Sequence, residues 1–261
     1  MRSLSVAATG MMAQQLAVEV ISNNIANMTT TGYKRSRPEF QDLLYQSQRR
    51  IGAATSDAGT VVPAGVQLGL GVKTAAVYRV HEQGDVVNTE NRLDVAIQGE
   101  GFFTVELPSG ETAYTRSGNF QLGPDGLIVT PDGYTVGPGI SVPPDVAEVS
   151  INAEGRVLAK LEGQVALADL GQFELASFVN PAGLEATGDN LLQETPASGP
   201  ATTGVPGAEG FGPLLQGFLE GSNVNPVQEI TALISAQRAY DLNSKVISAS
   251  DEMMAAVAQL R

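Results

Sequence analysis

The 261-residue chain contains no cysteine and no tryptophan, and a single histidine, His81. Without cysteine there can be no disulfide, no thiolate metal site and no thiol nucleophile. With one imidazole, His81 can supply at most one metal ligand. Ser-His-Asp chemistry would have to run through it, and no nucleophile-elbow sequence accompanies it, so it reads as a surface or strand residue. Cations are scarce as well: 15 Lys and Arg face 28 Asp and Glu, a net charge of −13. That sign argues against nucleic acid as a partner, because neutralising phosphates takes clustered Lys and Arg. No stretch approaches the roughly 20 apolar residues of a membrane span. The N-terminus also lacks the apolar core and cleavage site of a secretory signal. The expectation is therefore no direct membrane insertion and no cleaved signal peptide. Aromatic residues make up only 5%, yet a hydrophobic content of 43% is enough for a core, and the length fits one large or two small domains.

What the sequence does contain is pattern at its two ends. Residues 1–31 read as a helix with Leu4, Met11, Val18 and Ile25 seven apart and Ala7, Gln14 and Ile21 between them. That is an a/d seam in which Gln14 is the polar exception that can fix register. Residues 225–261 read as a second helix carrying two apolar stripes. One runs through Ala239, Leu242, Val246, Ala249, Met253, Ala256 and Leu260, the other through Leu233, Tyr240, Ile247 and Met254. One stripe can face the N-terminal helix; the second needs another partner, since an apolar face left in water is costly. A helical pair packed on its own globular core is the plainer alternative to contact with neighbouring copies. The Asn-rich end of the first helix has two readings. Asn23, Asn24 and Asn27 can meet backbone groups as the helix terminates, or form lateral hydrogen bonds between helices. Gly32 suits a left-handed C-terminal cap, and Asn225, Pro226 and Gln228 form a capping-box start for the last helix.

Between the ends the signals are different. Residues 38–48 are expected to form a short helix with Pro38 in its first turn. Residues 49–72 lose periodicity and read as a linker or an extended arm. From Val77 onward the pattern is β. A hairpin spans Phe102 to Arg116, GPDG and TPDG turns flank Leu127–Val129, a second hairpin turns near Glu154-Gly155, and further strands cover 165–170 and 173–179. Frequent turns and short strands argue for an antiparallel barrel or sandwich. Asp125 and Asp132 sit in Asp-Gly turns rather than in a calcium-ligand series. Gly99-Glu100-Gly101 is followed by neither Lys-Ser/Thr nor a helix start, so it is no phosphate loop. Residues 194–212 form a Pro/Gly/Ala-rich loop. The segment with Lys34, Arg35, Arg37, Arg49 and Arg50 is basic on an acidic chain, either a solvated loop or a surface complementary to another copy.

Four stretches carry a family resemblance. SNNIANMTTTGYK, residues 22–34, resembles the N-terminal signature of the flagellar rod and hook family, close to S-N-N-I-A-N-x-x-T-x-G-F/Y-K, with Met28 and Thr30 where Val and Asn are more usual. The resemblance continues through LDVAIQGEGFFTV at 93–105, AYTRSGNFQLGPDGLIVTPDGY at 113–134 and GFLEGSNVNPVQEITALISAQRAYDLNSKVISASDEMM at 217–254. Length, and the segment after the first motif, look most like the distal-rod members of that family.

The resemblance implies an α+β subunit with coiled-coil-like terminal helices, an antiparallel all-β barrel or sandwich-like middle domain and an extended arm. The expected organisation is a terminal helical domain at 1–31 and 225–261, connecting regions at 32–76 and 213–224, and a β-rich domain at 77–212. The implied role is structural, without enzyme activity, metal or cofactor: a subunit of a hollow helical rod that crosses the periplasm, transmits torque from motor to hook and passes exported subunits. It further implies export by the flagellar type III apparatus. Implied partners are further copies, proximal-rod proteins, hook protein and the surrounding basal-body rings. Assembly contacts are expected from Leu4, Met11, Gln14, Val18, Ile21, Asn23, Asn24, Ile25 and Asn27. On the last helix they are expected from Leu233, Tyr240, Leu242, Val246, Ile247, Met253, Met254 and Leu260. Another axial component is the nearest alternative; a β-barrel hydrolase built on carboxylate pairs and a soluble binding module are the others.

Overall fold

The computed structural model describes residues 2–49, 64–161 and 167–259, and the chain divides into two compact units. The first comprises Met1–Ile25, Ser36–Tyr78 and Pro226–Arg261. Its helices are α1, Arg2–Ala26, and α2, Pro226–Gln259. They run antiparallel: Ser3 meets Ser250, Gly10 lies against Asn243, and Ala17 and Ile21 share a cluster with Ala236 and Leu233. α1 ends at Ala26, short of the residue 31 read from the sequence, ahead of Asn27 and the Thr29–Thr31 run that disfavour helix, and α2 begins at Pro226, where the capping pattern places it. By length and composition α1 is apolar enough to cross a membrane. This corrects the reading that no stretch approaches a span; its alanines and methionines raise the hydropathy without forming a continuous run of large apolar residues.

Residues 38–48 are not helical. Ser36–Asp42 and Tyr45–Arg49 are strands. Pro38 is the reason: it pushes Arg37 towards extended backbone and, lacking an N–H, is tolerated in a strand paired on one side only. Among the described residues, Ser36–Asp42 pairs only with Val72–Arg79. Ser36, Pro38 and Phe40 alternate inward, and Phe40 packs on the Ala17–Ile21–Ala236 cluster. Of the expected arm, Val66–Gly69 is a strand antiparallel to Tyr45–Arg49, so this part is not a loop. Residues 50–63 lie outside the described residues.

The second unit comprises Ala26–Arg35 and Arg79–Asn225. Its largest sheet is antiparallel. In spatial order it holds Glu185–Gly188, Leu191–Gln193, Thr112–Thr115, Phe102–Glu106, Thr135–Val136, Ile128–Val129 and Gln121–Leu122, with Leu175–Ser177 and Thr202–Gly204 branching from Phe102–Glu106. A three-stranded meander, Val146–Ile151, Arg156–Leu161 and Leu167–Gln172, closes the other side of one core. The expected hairpins and the GPDG and TPDG turns are present: Gly126 N–H donates to Gly123 O at 3.0 Å and Gly133 N–H to Thr130 O at 2.9 Å. The described strands form no closed barrel. Successive side chains of a strand point to opposite faces, so Phe103 packs with Phe120 and Phe173 in the main core. Its neighbour Phe102 packs with Tyr114 and Phe178 in a second cluster. The Phe-Phe pair thus belongs to a strand covered on both sides.

Candidate assembly surface and buried ion cluster

The seam between α1 and α2 is made of small side chains. Ala7, Ala13 and Ala17 are buried on α1, with Val20, Ile21 and Asn24. At Gly10 an added Cβ would lie 2.9 Å from the Asn243 amide nitrogen, so glycine there allows close approach. Leu4, Met11, Gln14, Val18 and Ile25 are only part-buried, flanking that line. On α2, Leu233 and Ile247 are part-buried, whereas Leu242 and Met253 are each 62% exposed. Tyr240, Val246 and Met254 are exposed too, with Val227, Ile230 and Ile234 nearer the helix start. α2 therefore keeps Leu233, Ala236 and Ile247 at least part-buried and leaves Leu242, Val246 and Met253 uncovered, and the stripe read through Leu233, Tyr240, Ile247 and Met254 is divided, since its Tyr240 and Met254 are exposed. Leu260 lies outside the described residues.

Of the asparagines, Asn24 is 2% exposed and does two jobs. Its amide donates to Ser36 O at 2.8 Å and to Glu229 Oε2 at 3.2 Å, and its Oδ1 accepts from Ser36 N–H at 2.8 Å. It ties the end of α1 to the following strand and to the start of α2. Asn27 accepts from Thr30 Oγ1 at 3.2 Å, and Asn23 lies on the exposed side of α1. Gly32 has φ +68, the conformation expected of it, but it lies beyond the end of α1. Its N–H donates to Glu220 O at 2.8 Å, and a Cβ would come within 2.8 Å of Ser117 N.

The second unit holds a feature that sequence reading missed. Lys34, Arg116 and Glu220 are 6%, 6% and 1% exposed. Glu220 takes Lys34 Nζ on Oε1 and Arg116 Nε on Oε2, each at 2.5 Å. Gly84 N–H also donates to Oε1, at 2.9 Å. Lys34 donates further to Glu82 O at 2.7 Å, and the Arg116 guanidinium to the carbonyls of Ile97, Gly99 and Gly101. Two cations share one carboxylate, and the carbonyls compensate the second. Burial pushes the Lys34 ammonium below the usual lysine range against the pull of Glu220, with Arg116 adding to the lowering. His81 lies beside them, edge-on to Phe102 at 5.7 Å between ring centres, on a cavity of about 210 Å³ that Lys34 and Arg116 also line. Its Nδ1 is buried with no hydrogen-bond partner among the described residues. Burial, then the charges of Lys34, Arg79 and Arg116, lower its pKa to about 4, and a backbone bond to Pro181 opposes them weakly. The reading of His81 as a surface or strand residue is thereby corrected. Lys34, Arg116 and Glu220 each lie inside one of the quoted motifs, but nothing in the spacing of those motifs joins them. Among the described residues, no cluster of His, Asp or Glu is arranged to hold a metal ion.

Three family models match the chain: Flagella basal body rod protein over residues 4–34, Flagellar hook protein FlgE/F/G D1 domain over 96–159, and Flagellar basal body rod FlgEFG protein C-terminal over 215–260. Lys34, Arg116 and Glu220 fall one in each. The flagellar basal-body rod protein FlgG of Caulobacter vibrioides is 58% identical over the whole of both chains. That of Bacillus subtilis is 39% identical over 100% of this chain and 99% of its own. The FlgF rod protein of Caulobacter vibrioides is 32% identical over 96% of this chain and 94% of its own. The chain therefore belongs to the flagellar basal-body rod protein family, as a structural subunit of the distal-rod type and not an enzyme.

Proposed function

We propose that the chain polymerises into the hollow helical distal rod of the flagellar basal body, where it transmits torque from motor to hook and lines part of the export channel. The observation that carries this reading is the uncovered apolar stripe of α2, which runs the length of the helix beside a stripe already used by α1. A second copy is the economical cover for such a face. In the polymer, residues 1–31 and 225–261 form a coiled-coil-like inner tube and residues 77–212 the outer β layer. Residues 32–76 and 213–224 connect them, with the 49–72 arm bracing neighbours. Leu4, Met11, Gln14, Val18, Asn23 and Ile25 of α1 with Asn27 just after it, and Tyr240, Leu242, Val246, Met253 and Met254 of α2, meet neighbouring copies. Ile21, Asn24, Leu233 and Ile247 support those contacts from the seam. Proximal-rod proteins adjoin one end, hook protein the other, and the rings surround a shaft that crosses the periplasm. The subunit reaches its place through the flagellar type III apparatus without a cleaved signal. Greater identity to FlgG than to FlgF of one organism favours this over another axial role.

The test is negative-stain microscopy of the purified full-length chain across a concentration series. Tubes are expected at high concentration; compact monodisperse particles at every concentration would overturn the reading.

A further inference from the structure

The chain enters and leaves the second unit through residues 26–35, 79–88 and 217–225. All three meet at one side chain. Glu220 lies in strand Phe218–Glu220, paired with Val86–Asn88. Its backbone carbonyl holds Gly32, and its carboxylate holds Lys34 from the first segment and the Gly84 N–H from the second. Its other oxygen holds Arg116, whose guanidinium is anchored on the 97–101 loop beside the main core. Asn223 adds a second tie: its Oδ1 accepts from Arg35 N–H at 2.7 Å and its amide donates to Val80 O at 2.8 Å. None of these groups belongs to the apolar clusters that hold the β sheets together.

We infer that Glu220 is a positioning residue: held between Lys34 and Arg116, it fastens the three junction segments to the β body and so fixes where the chain leaves this unit. A buried ion pair adds little stability over an apolar replacement, but breaking one leaves a buried charge uncompensated. What the cluster supplies is a unique arrangement of segments that carry few large apolar side chains. Glu220 suits this because one carboxylate accepts from several donors at once, whereas an apolar side chain at the same place would not distinguish one register of the junctions from a neighbouring one.

Hydrogen exchange on the dilute full-length protein tests the inference. Glu220→Gln is expected to lower protection about a hundredfold at Gly32, Val80 and Gly84, the scale of a broken buried ion pair, while strands Phe102–Glu106 and Arg156–Leu161 keep theirs. Should Glu220→Gln fail to fold, Lys34→Met keeps the question open. It leaves one cation for one carboxylate, so it is expected to fold and to loosen 26–35 and Gly84 but not the pairing of Phe218–Glu220 with Val86–Asn88. A uniform loss across junctions and sheets in Lys34→Met, or no loss at the junctions in either variant, would overturn the inference. The exchange result is independent of the rod reading. A second arm, motility of cells whose only copy is Lys34→Met, rests on that reading. Unchanged junction protection refutes the positioning role whatever the swimming, and loosened junctions with normal rods would separate it from torque transmission.

Discussion

His81 makes stability depend on pH in a window where few other groups of this chain titrate. In the unfolded chain its imidazole takes up a proton near 6.5; in the folded protein it does so only at about 4. Between those values the unfolded state binds more protons, so stability falls as pH drops from 6.5 towards 4 and the His81 contribution levels off below. The gap of about 2.5 pH units, at about 1.36 kcal/mol each, sets an upper bound of about 3 kcal/mol. Burial is the largest cause. The charges of Lys34, Arg79 and Arg116 come next, and the buried carboxylate of Glu220 is already shared by two of them. His81→Gln removes the titration while keeping a polar side chain. Urea titrations at pH 7.5, 6.0, 5.0 and 4.2 for both proteins are expected to give a stability difference that shifts by about 2–3 kcal/mol in favour of the variant as pH falls. The carboxylates that also titrate at the acid end are common to both and cancel. Parallel curves over the whole range would refute the burial of His81 beside these cations.

Four other outcomes follow from the packing. Val246→Asp places a charge on the uncovered stripe of α2 and is expected to leave monomer stability within about 0.5 kcal/mol while abolishing tubes in electron microscopy. Val18→Asp, part-buried against the Ala17–Ala236 cluster, is expected to lower helicity by circular dichroism as well as block assembly. Phe103→Ala, which empties a site that is 0% exposed, is expected to cost about 3–5 kcal/mol in a denaturant titration of the β unit. Gly32→Ala meets both a positive φ and the Ser117 backbone and is expected to lose about 1–3 kcal/mol, measured the same way.

The parts of the fold legible in sequence were those with a local cause. Pro226 behind Asn225 marks the start of α2, and the Gly-closed turns at 123–126 and 130–133 place their strands because turn chemistry is settled within four residues. Residues 38–48 were misread because Pro38 is equally at home in the first turn of a helix and on a strand edge, and only the pairing partner at Val72–Arg79 decides between them. Of the seam read on α1, Ala7 and Ile21 are buried while Leu4, Met11, Gln14, Val18 and Ile25 are part-buried, and Ala13, Ala17, Val20 and Asn24 complete the buried face. A heptad shows which residues share a face, but not whether bulk or close approach decides which face turns inward. The Lys34–Arg116–Glu220 cluster was unreadable because its members are 82 and 104 residues apart along the chain. Spacing carries no information over such distances, although each member sat in a stretch already singled out.

The small-residue seam has a consequence for when assembly starts. By burying mostly alanine on α1 and leaving Leu242, Val246 and Met253 of α2 outward, the subunit withholds part of its apolar area from its own fold. That area is released from water only in proportion to the number of neighbours, so a lone pair of subunits gains little while one seated in a ring of several gains on each side. Association of this kind has a threshold: below a critical concentration nuclei dissolve, whereas an existing tip, which already offers several neighbours, keeps growing. A subunit delivered one at a time to the end of a shaft would join it there in preference to its fellows in solution.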